Sequence, residues 1–150
     1  MLLRPAQRGE AGLLTDIALR SKRAWGYDDA FMRRILPDML VTPRMIDEGY
    51  AVLAIDAEEP VGYLLMRMNG EHEAFLNDLF IVPERMRCGV GSQLLAHGIA
   101  WSRAQGARRV SLVSDPNATG FYERRGFTRD GEVASTVIDG RALPRMVLLL

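Results

Sequence analysis

The 150 residues predict an α/β (α+β) fold: a mixed, mostly antiparallel central sheet of six to seven strands flanked by helices. Three observations carry this. First, the run Phe75 to Val82 is dense in aromatic and branched residues, whereas beyond Gly91 the residues Leu94, Leu95, Ile99 and Trp101 recur at helical spacing. Second, a further strand-like run, Arg109 to Val113, follows that helix, so strand, helix and strand form one right-handed parallel crossover. Third, turn signals at residues 57–60, Asn69-Gly70 and Asp139-Gly140 separate other apolar runs into antiparallel hairpins.

Taken in order, Leu2-Leu3 up to Pro5 suit a short opening strand. From Gly9 to Trp25, Leu13, Leu14, Ile17, Ala18 and Ala24 form one apolar helical face. Asp28 is a candidate N-cap for a second helix that Pro37 should stop. Thr42-Pro43 predicts a further helical turn to Glu48. Strands over Tyr50 to Asp56 and Val61 to Met68 flank a turn at Ala57-Glu58-Glu59-Pro60, and the central strand spans Glu73 to Val82. A helix from Val90 to about Gln105 ends at Gly106, and a shorter one begins near Pro116 and ends at Gly126, with Phe121 and Tyr122 in its middle. Val133 to Ile138 and Leu143 to Leu150 close the sheet.

At this length one domain, residues 1–150, is expected, able to bury roughly two thirds of its unfolded surface. Nineteen basic and nineteen acidic side chains cancel, which argues against binding nucleic acid or an anionic membrane by bulk charge. Any basic site must be local. A single cysteine, Cys88, allows no internal disulfide, and with no charged-then-apolar leader the expected setting is the cytoplasm. No apolar run has the length of a membrane span.

The central strand enters its helix through Pro83-Glu84-Arg85-Met86-Arg87-Cys88-Gly89-Val90-Gly91-Ser92. Gly89 and Gly91 let the backbone approach a ligand, and the helix start presents unpaired N–H groups and about half an elementary charge of dipole. Arg85 and Arg87 add full charges, so a phosphate or pyrophosphate suits the turn. The alternative is a tight turn and nothing more. No Lys-Ser or Lys-Thr follows, and position 94 is Leu, so neither a P-loop nor a dinucleotide fingerprint is present.

The segment resembles the acyl-CoA signature of the GNAT superfamily of N-acyltransferases, in which an apolar strand and x-Pro precede Gln/Arg-x-x-Gly-x-Gly/Ala. Ile81-Val82-Pro83 and Met86-Arg87-Cys88-Gly89-Val90-Gly91 carry it, with Met86 where Gln or Arg is usual. Asn117 followed by Phe121-Tyr122 and Gly126-Phe127 is similar to the family's second motif. The resemblance covers residues 73–127 best, then 50–72 and the closing strands, and least the first 49.

The resemblance implies acetyl-CoA as cosubstrate, no metal, and a parallel strand pair splayed at the cofactor site. It implies main-chain contacts from Met86, Arg87, Cys88, Gly89, Val90, Gly91 and Ser92 to the pyrophosphate, and free strand N–H groups at Leu79, Phe80 and Ile81. Tyr122 matches the family's proton donor to the departing thiolate. Asn117 matches a contact to the pantetheine arm, its alternative being a helix cap after Pro116. For the base, Glu73 and Asp78 are the local carboxylates. Alternation puts Phe75, Asn77 and Leu79 on one face and Leu76, Asp78 and Phe80 on the other. Asp78 is therefore a candidate base or substrate-orienting group, with a water chain as the alternative. Trp25, Tyr27, Phe31 and Asn77 are candidates for the acceptor pocket, core packing being the other reading for the aromatics. Cys88 has no histidine nearby to make it a nucleophile, and His72 and His97 suggest no metal pair.

The implied activity is direct attack on the thioester by a primary amine of a small molecule or amino acid. Acetylation of a protein lysine or N-terminus, and a silent acyl-CoA sensor, are the alternatives. The closing strands, if exposed, would suit a homodimer.

Overall fold

The computed structural model describes residues 1–150. Its strands are β1 (Leu2–Pro5), β2 (Tyr50–Asp56), β3 (Glu59–Met68), β4 (Glu73–Ile81), β5 (Arg109–Val113), β6 (Thr128–Ala134) and β7 (Ala142–Leu149). They form one seven-stranded sheet in the order β1-β2-β3-β4-β5-β7-β6. Every neighbouring pair is antiparallel except β4–β5. The helices are α1 (Ala11–Arg23), α2 (Asp29–Met39), α3 (Pro43–Glu48), α4 (Val90–Ala104) and α5 (Thr119–Glu123).

Local chemistry accounts for most boundaries. Asp28 accepts the Phe31 N–H at 2.8 Å and starts α2. Thr42 accepts the Met45 N–H at 3.2 Å, with Pro43 opening α3. Thr15, buried in α1, accepts the Val41 N–H at 2.9 Å and so ties the α2–α3 connection to the core. On α4, Gly98 comes close to β3: a Cβ there would lie 3.0 Å from a Leu64 methyl and 3.1 Å from the Met66 sulfur. Trp101 of the same helix stacks on Tyr50 with 5.3 Å between ring centroids.

The sequence reading needs three corrections here. Pro37 does not stop α2, which continues to the buried Met39. Its missing N–H costs the helix one bond, to the Arg33 carbonyl, and burial of Met39 carries the helix past it. The β2–β3 turn is only Ala57-Glu58, with φ of 49° and 67°, and Pro60 is already paired with Ile55 beside a bulge, where a strand tolerates proline. Strand β6 lies at Thr128–Ala134 rather than Val133 to Ile138, and the connection to β7 is a longer loop. All of β6 is exposed, so no apolar alternation marks it, and Gly131 (φ 87°) serves a bulge between Arg129 and Glu132.

Gly49, between α3 and β2, leaves no room for a side chain. A Cβ there would sit 2.3 Å from the Met66 carbonyl oxygen and 3.0 Å from that of Met45. Gly49→Ala should lower unfolding free energy by about 2 kcal/mol, measured by urea denaturation.

Candidate active site

The parallel pair that closes the β4–β5 crossover is short. Glu73, Ala74 and Phe75 pair with Arg109, Val110 and Ser111, and there the pairing ends, while β4 runs on to Ile81 against β3. The two strands part and leave a gap beside the second half of β4. Val82 N–H donates to Val61 O at 2.9 Å. Bonded pairs alternate along an antiparallel ladder, and Phe80 opposes Tyr63 two residues away, so the Phe80 N–H also faces β3. Those of Leu79 and Ile81 face the gap. Of the three donors expected there, two point the right way.

Opposite Leu65 and Met66 the register slips by one, with Asn77 the extra residue on β4. The expected alternation of faces therefore fails. Leu76 opposes Met66 and lies on the α4 side with Leu79, whereas Asp78 opposes Leu65 and lies on the other side with Phe80. There the Tyr63 hydroxyl donates to Asp78 Oδ2 at 2.8 Å. Burial pushes the Asp78 carboxyl up to about 6, with the Tyr63 hydrogen bond opposing.

At the end of β4, a 3-10 turn (Pro83–Arg85) leads to the glycine turn and α4. Arg87 (φ 63°) and Gly89 (φ 85°) are both left-handed, and the first bond into the helix is Gln93 N–H to Gly89 O at 3.2 Å. Consequently the N–H groups of Arg87, Cys88, Gly89, Val90, Gly91 and Ser92 meet no protein acceptor. Successive donors in such a turn make a concavity for an anion, and the helix start adds positive potential. The Arg125 guanidinium stacks on Phe121, 3.7 Å from its centroid, and donates to Ser92 Oγ through Nε at 3.1 Å and to Phe121 O at 2.8 Å.

These features share one cavity of about 720 Å³, running from Arg85, Arg87, Arg124 and Arg125 past Leu79 and Ile81 to Lys22 and Trp25. Tyr122, buried in α5, lines it, and its hydroxyl has no protein partner. Burial first and the Asp78 carboxylate second raise the Tyr122 hydroxyl well above tyrosine's ordinary range, with Arg125 opposing. It stays protonated at neutral pH.

Met86, Gly89, Gly91, Ser92, Asn77, Phe80 and Asn117 also reach the cavity wall. Val90 instead points into the core and Cys88 is exposed, its thiol 3.5 Å from Met86 O. Asp78 lies behind the wall with Tyr63. Tyr27 and Phe31 stack at 4.0 Å behind the wall residue Asp115. The helix cap near Pro116 is Asp115, which accepts the Asn117 N–H at 2.8 Å, so Asn117 is not the cap. Glu73 sits at the far end of β4, 2.7 Å from Arg109, and takes no part in the cavity. Nowhere do three metal-ligating side chains gather.

Sequence reasoning missed Arg125, Lys22, Asp115 and Arg141. Tyr122-Glu123-Arg124-Arg125 carried a signal for the first; nothing local pointed to the others.

The sequence profile of the Acetyltransferase (GNAT) family matches residues 14–127. The chain belongs to this family. As a GNAT chain it is 28% identical over 83 residues to GCN5-related N-acetyltransferase 1, chloroplastic, of Arabidopsis thaliana, covering 53% of this chain and 42% of that protein. It is 32% identical over 78 residues to the peptidyl-lysine N-acetyltransferase YjaB of Escherichia coli (strain K12), covering 51% of this chain and 47% of YjaB. The matched stretch thus spans less than half of either relative. In fold, this GNAT chain is similar to the PaiA N-acetyltransferase of Thermoplasma acidophilum solved with coenzyme A, at a TM-score of 0.81, 16% identity and coverage of 99% and 98% of the two chains. No helix is long and apolar enough to cross a membrane.

Proposed function

We propose that the protein is an acetyl-CoA-dependent N-acetyltransferase that acetylates a primary amine of a small molecule or amino acid by direct attack. One observation carries this reading: six consecutive main-chain donors, Arg87 to Ser92, lie without protein acceptors at one end of a cavity lined further along by Tyr122. Donors and arginines fit a diphosphate, and the gap beside β4 fits an extended amide-bearing arm. Bound acetyl-CoA supplies the acyl group as a thioester.

The chain's own residues then have distinct tasks. Arg87 to Ser92, with Arg125 beside Ser92, hold the diphosphate. The free N–H groups of Leu79 and Ile81 pair with the arm and with the acyl oxygen as it becomes negative, each such donor contributing about 3 kcal/mol in the transition state. Asn117 on the wall contacts the arm. Trp25 and Asn77 border the acceptor, with Tyr27 and Phe31 stacked behind Asp115. Tyr122 protonates the departing sulfur, whose thiol has an ordinary pKa of about 8.5.

Asp78 takes the proton from the attacking amine. It stands behind the wall, so a water relays the proton. Its charge is one of the causes that raise Tyr122, so protonating Asp78 makes Tyr122 a stronger acid. Loading the base readies the acid. A carboxylate serves as base only when ionised; kcat at saturating acceptor should therefore rise with pH through about 6 and then level, and Asp78→Asn should lose that limb. A profile unchanged by Asp78→Asn removes Asp78 from the reaction.

The match to a peptidyl-lysine acetyltransferase supports a second reading, acetylation of a protein lysine. Thiol release from acetyl-CoA with a panel of small amines and lysine peptides separates the two. The proposed setting is the cytoplasm, where the exposed thiol of Cys88 stays reduced, and the exposed edge strand β6 would serve a homodimer.

A further inference from the structure

At the α1 end of the cavity, Lys22 and Asp115 stand on the wall, and Arg141, behind it, shares the same carboxylate. Lys22 Nζ lies 2.6 Å from Asp115 Oδ2, and the Arg141 guanidinium lies 3.7 Å from Oδ1. The three side chains are only 12%, 10% and 21% exposed, so solvent screens them weakly. Asp115 is saturated. Its Oδ2 accepts from Lys22 and from the Tyr27 hydroxyl at 2.8 Å, and its Oδ1 accepts from the main-chain N–H and the side-chain amide of Asn117 at 2.8 and 2.9 Å. A carboxylate offers about four lone-pair sites, and all are taken. Burial alone would raise Asp115, yet Lys22, the Asn117 N–H and Tyr27 hold it below the usual carboxylate range, so it stays ionised and fully engaged.

The donors, by contrast, have capacity to spare. Lys22 commits one N–H, and Arg141 commits one, to the Tyr27 hydroxyl at 2.7 Å. An ammonium arriving here would find the carboxylate already filled, Lys22 facing it and Arg141 behind; an anion would find the free N–H groups of Lys22 and a net charge of one positive unit. Asp115 is also the only carboxylate on the cavity wall. Trp25 and Leu143 give the same end an apolar side.

We propose that the acceptor is an amine that also carries a carboxylate, an amino acid rather than a polycationic amine, and that Lys22 binds that carboxylate with the charge of Arg141 behind it. The inference rests on the acetyltransferase reading, but it is testable by binding alone. Isothermal titration of the protein saturated with coenzyme A would use a panel of N-acetyl-L-amino acids, each against its carboxamide. At least one carboxylate member should bind tenfold or more tightly than its amide. Arg141→Gln, which keeps a donor for Tyr27, should reduce that preference to less than threefold without changing the coenzyme A Kd; Lys22→Met should do the same if it folds. Equal affinity for acid and amide, tighter binding of the amides, no binding of any carboxylate member, or a preference untouched by Arg141→Gln would each overturn the assignment. Failure of coenzyme A itself to bind would instead overturn the acetyltransferase reading beneath it.

Discussion

Tyr122→Phe is expected to lower kcat about 100-fold, the lower end of what a positioned general acid contributes, while leaving the coenzyme A Kd within about twofold. The change removes one oxygen from a buried ring that otherwise keeps its packing, edge-on to Phe121 at 5.1 Å and to Phe127 at 5.5 Å. The hydroxyl has no protein hydrogen bond to lose, so stability should hold or rise slightly. Its only task would be to supply a proton to sulfur. Steady-state kinetics beside a thermal melt give the answer, and an unchanged kcat would take Tyr122 out of the chemistry. Cofactor binding with no turnover on any amine, in the wild-type protein, would favour an acyl-CoA sensor.

Gly91→Val should weaken coenzyme A binding by about 100-fold or more. A Cβ at this position meets two atoms of the Phe121 ring at 3.3 Å, and Arg125 stacks on that same ring while bonded to Ser92. A branched side chain therefore both fills the anion cradle and displaces the groups around it. Losing two charge-assisted hydrogen bonds costs about 3 kcal/mol, which is roughly two decades in Kd. Gly91 lies in the first turn of α4, at the open end of the helix, so the fold should survive. Titration calorimetry of the variant, with circular dichroism as the control, measures it. Wild-type affinity in Gly91→Val would mean that the diphosphate sits elsewhere.

The glycine turn at one end of the cavity could be read from the sequence because its signal is local. Apolar strand, proline, basic turn, two glycines and helix follow one another within a few residues, and each imposes its own backbone geometry. The same holds for Tyr122, four residues beyond Ala118 on a helix whose start Asp115 and Pro116 announce. The opposite end, near α1, was different. Lys22 and Asp115 are 93 positions apart, and Tyr27 and Arg141 are 114 apart, so only the folded sheet brings them together. Leu76 was placed on the face of Asp78 and Phe80, and wrongly, because a bulge at Asn77 breaks period-two alternation without leaving a glycine or proline to mark it. Strand β6 was displaced because an exposed edge strand rich in charge has no apolar face to reveal it.

The central claim, that main-chain donors from Arg87 to Ser92 clasp a diphosphate, is tested most directly by calorimetric titration of the wild-type protein with coenzyme A and with pantetheine, which lacks the diphosphate. Saturable coenzyme A binding, with pantetheine weaker by about 100-fold or more, is the expected result. Pantetheine binding as tightly as coenzyme A, or coenzyme A giving no saturable heat, would contradict it.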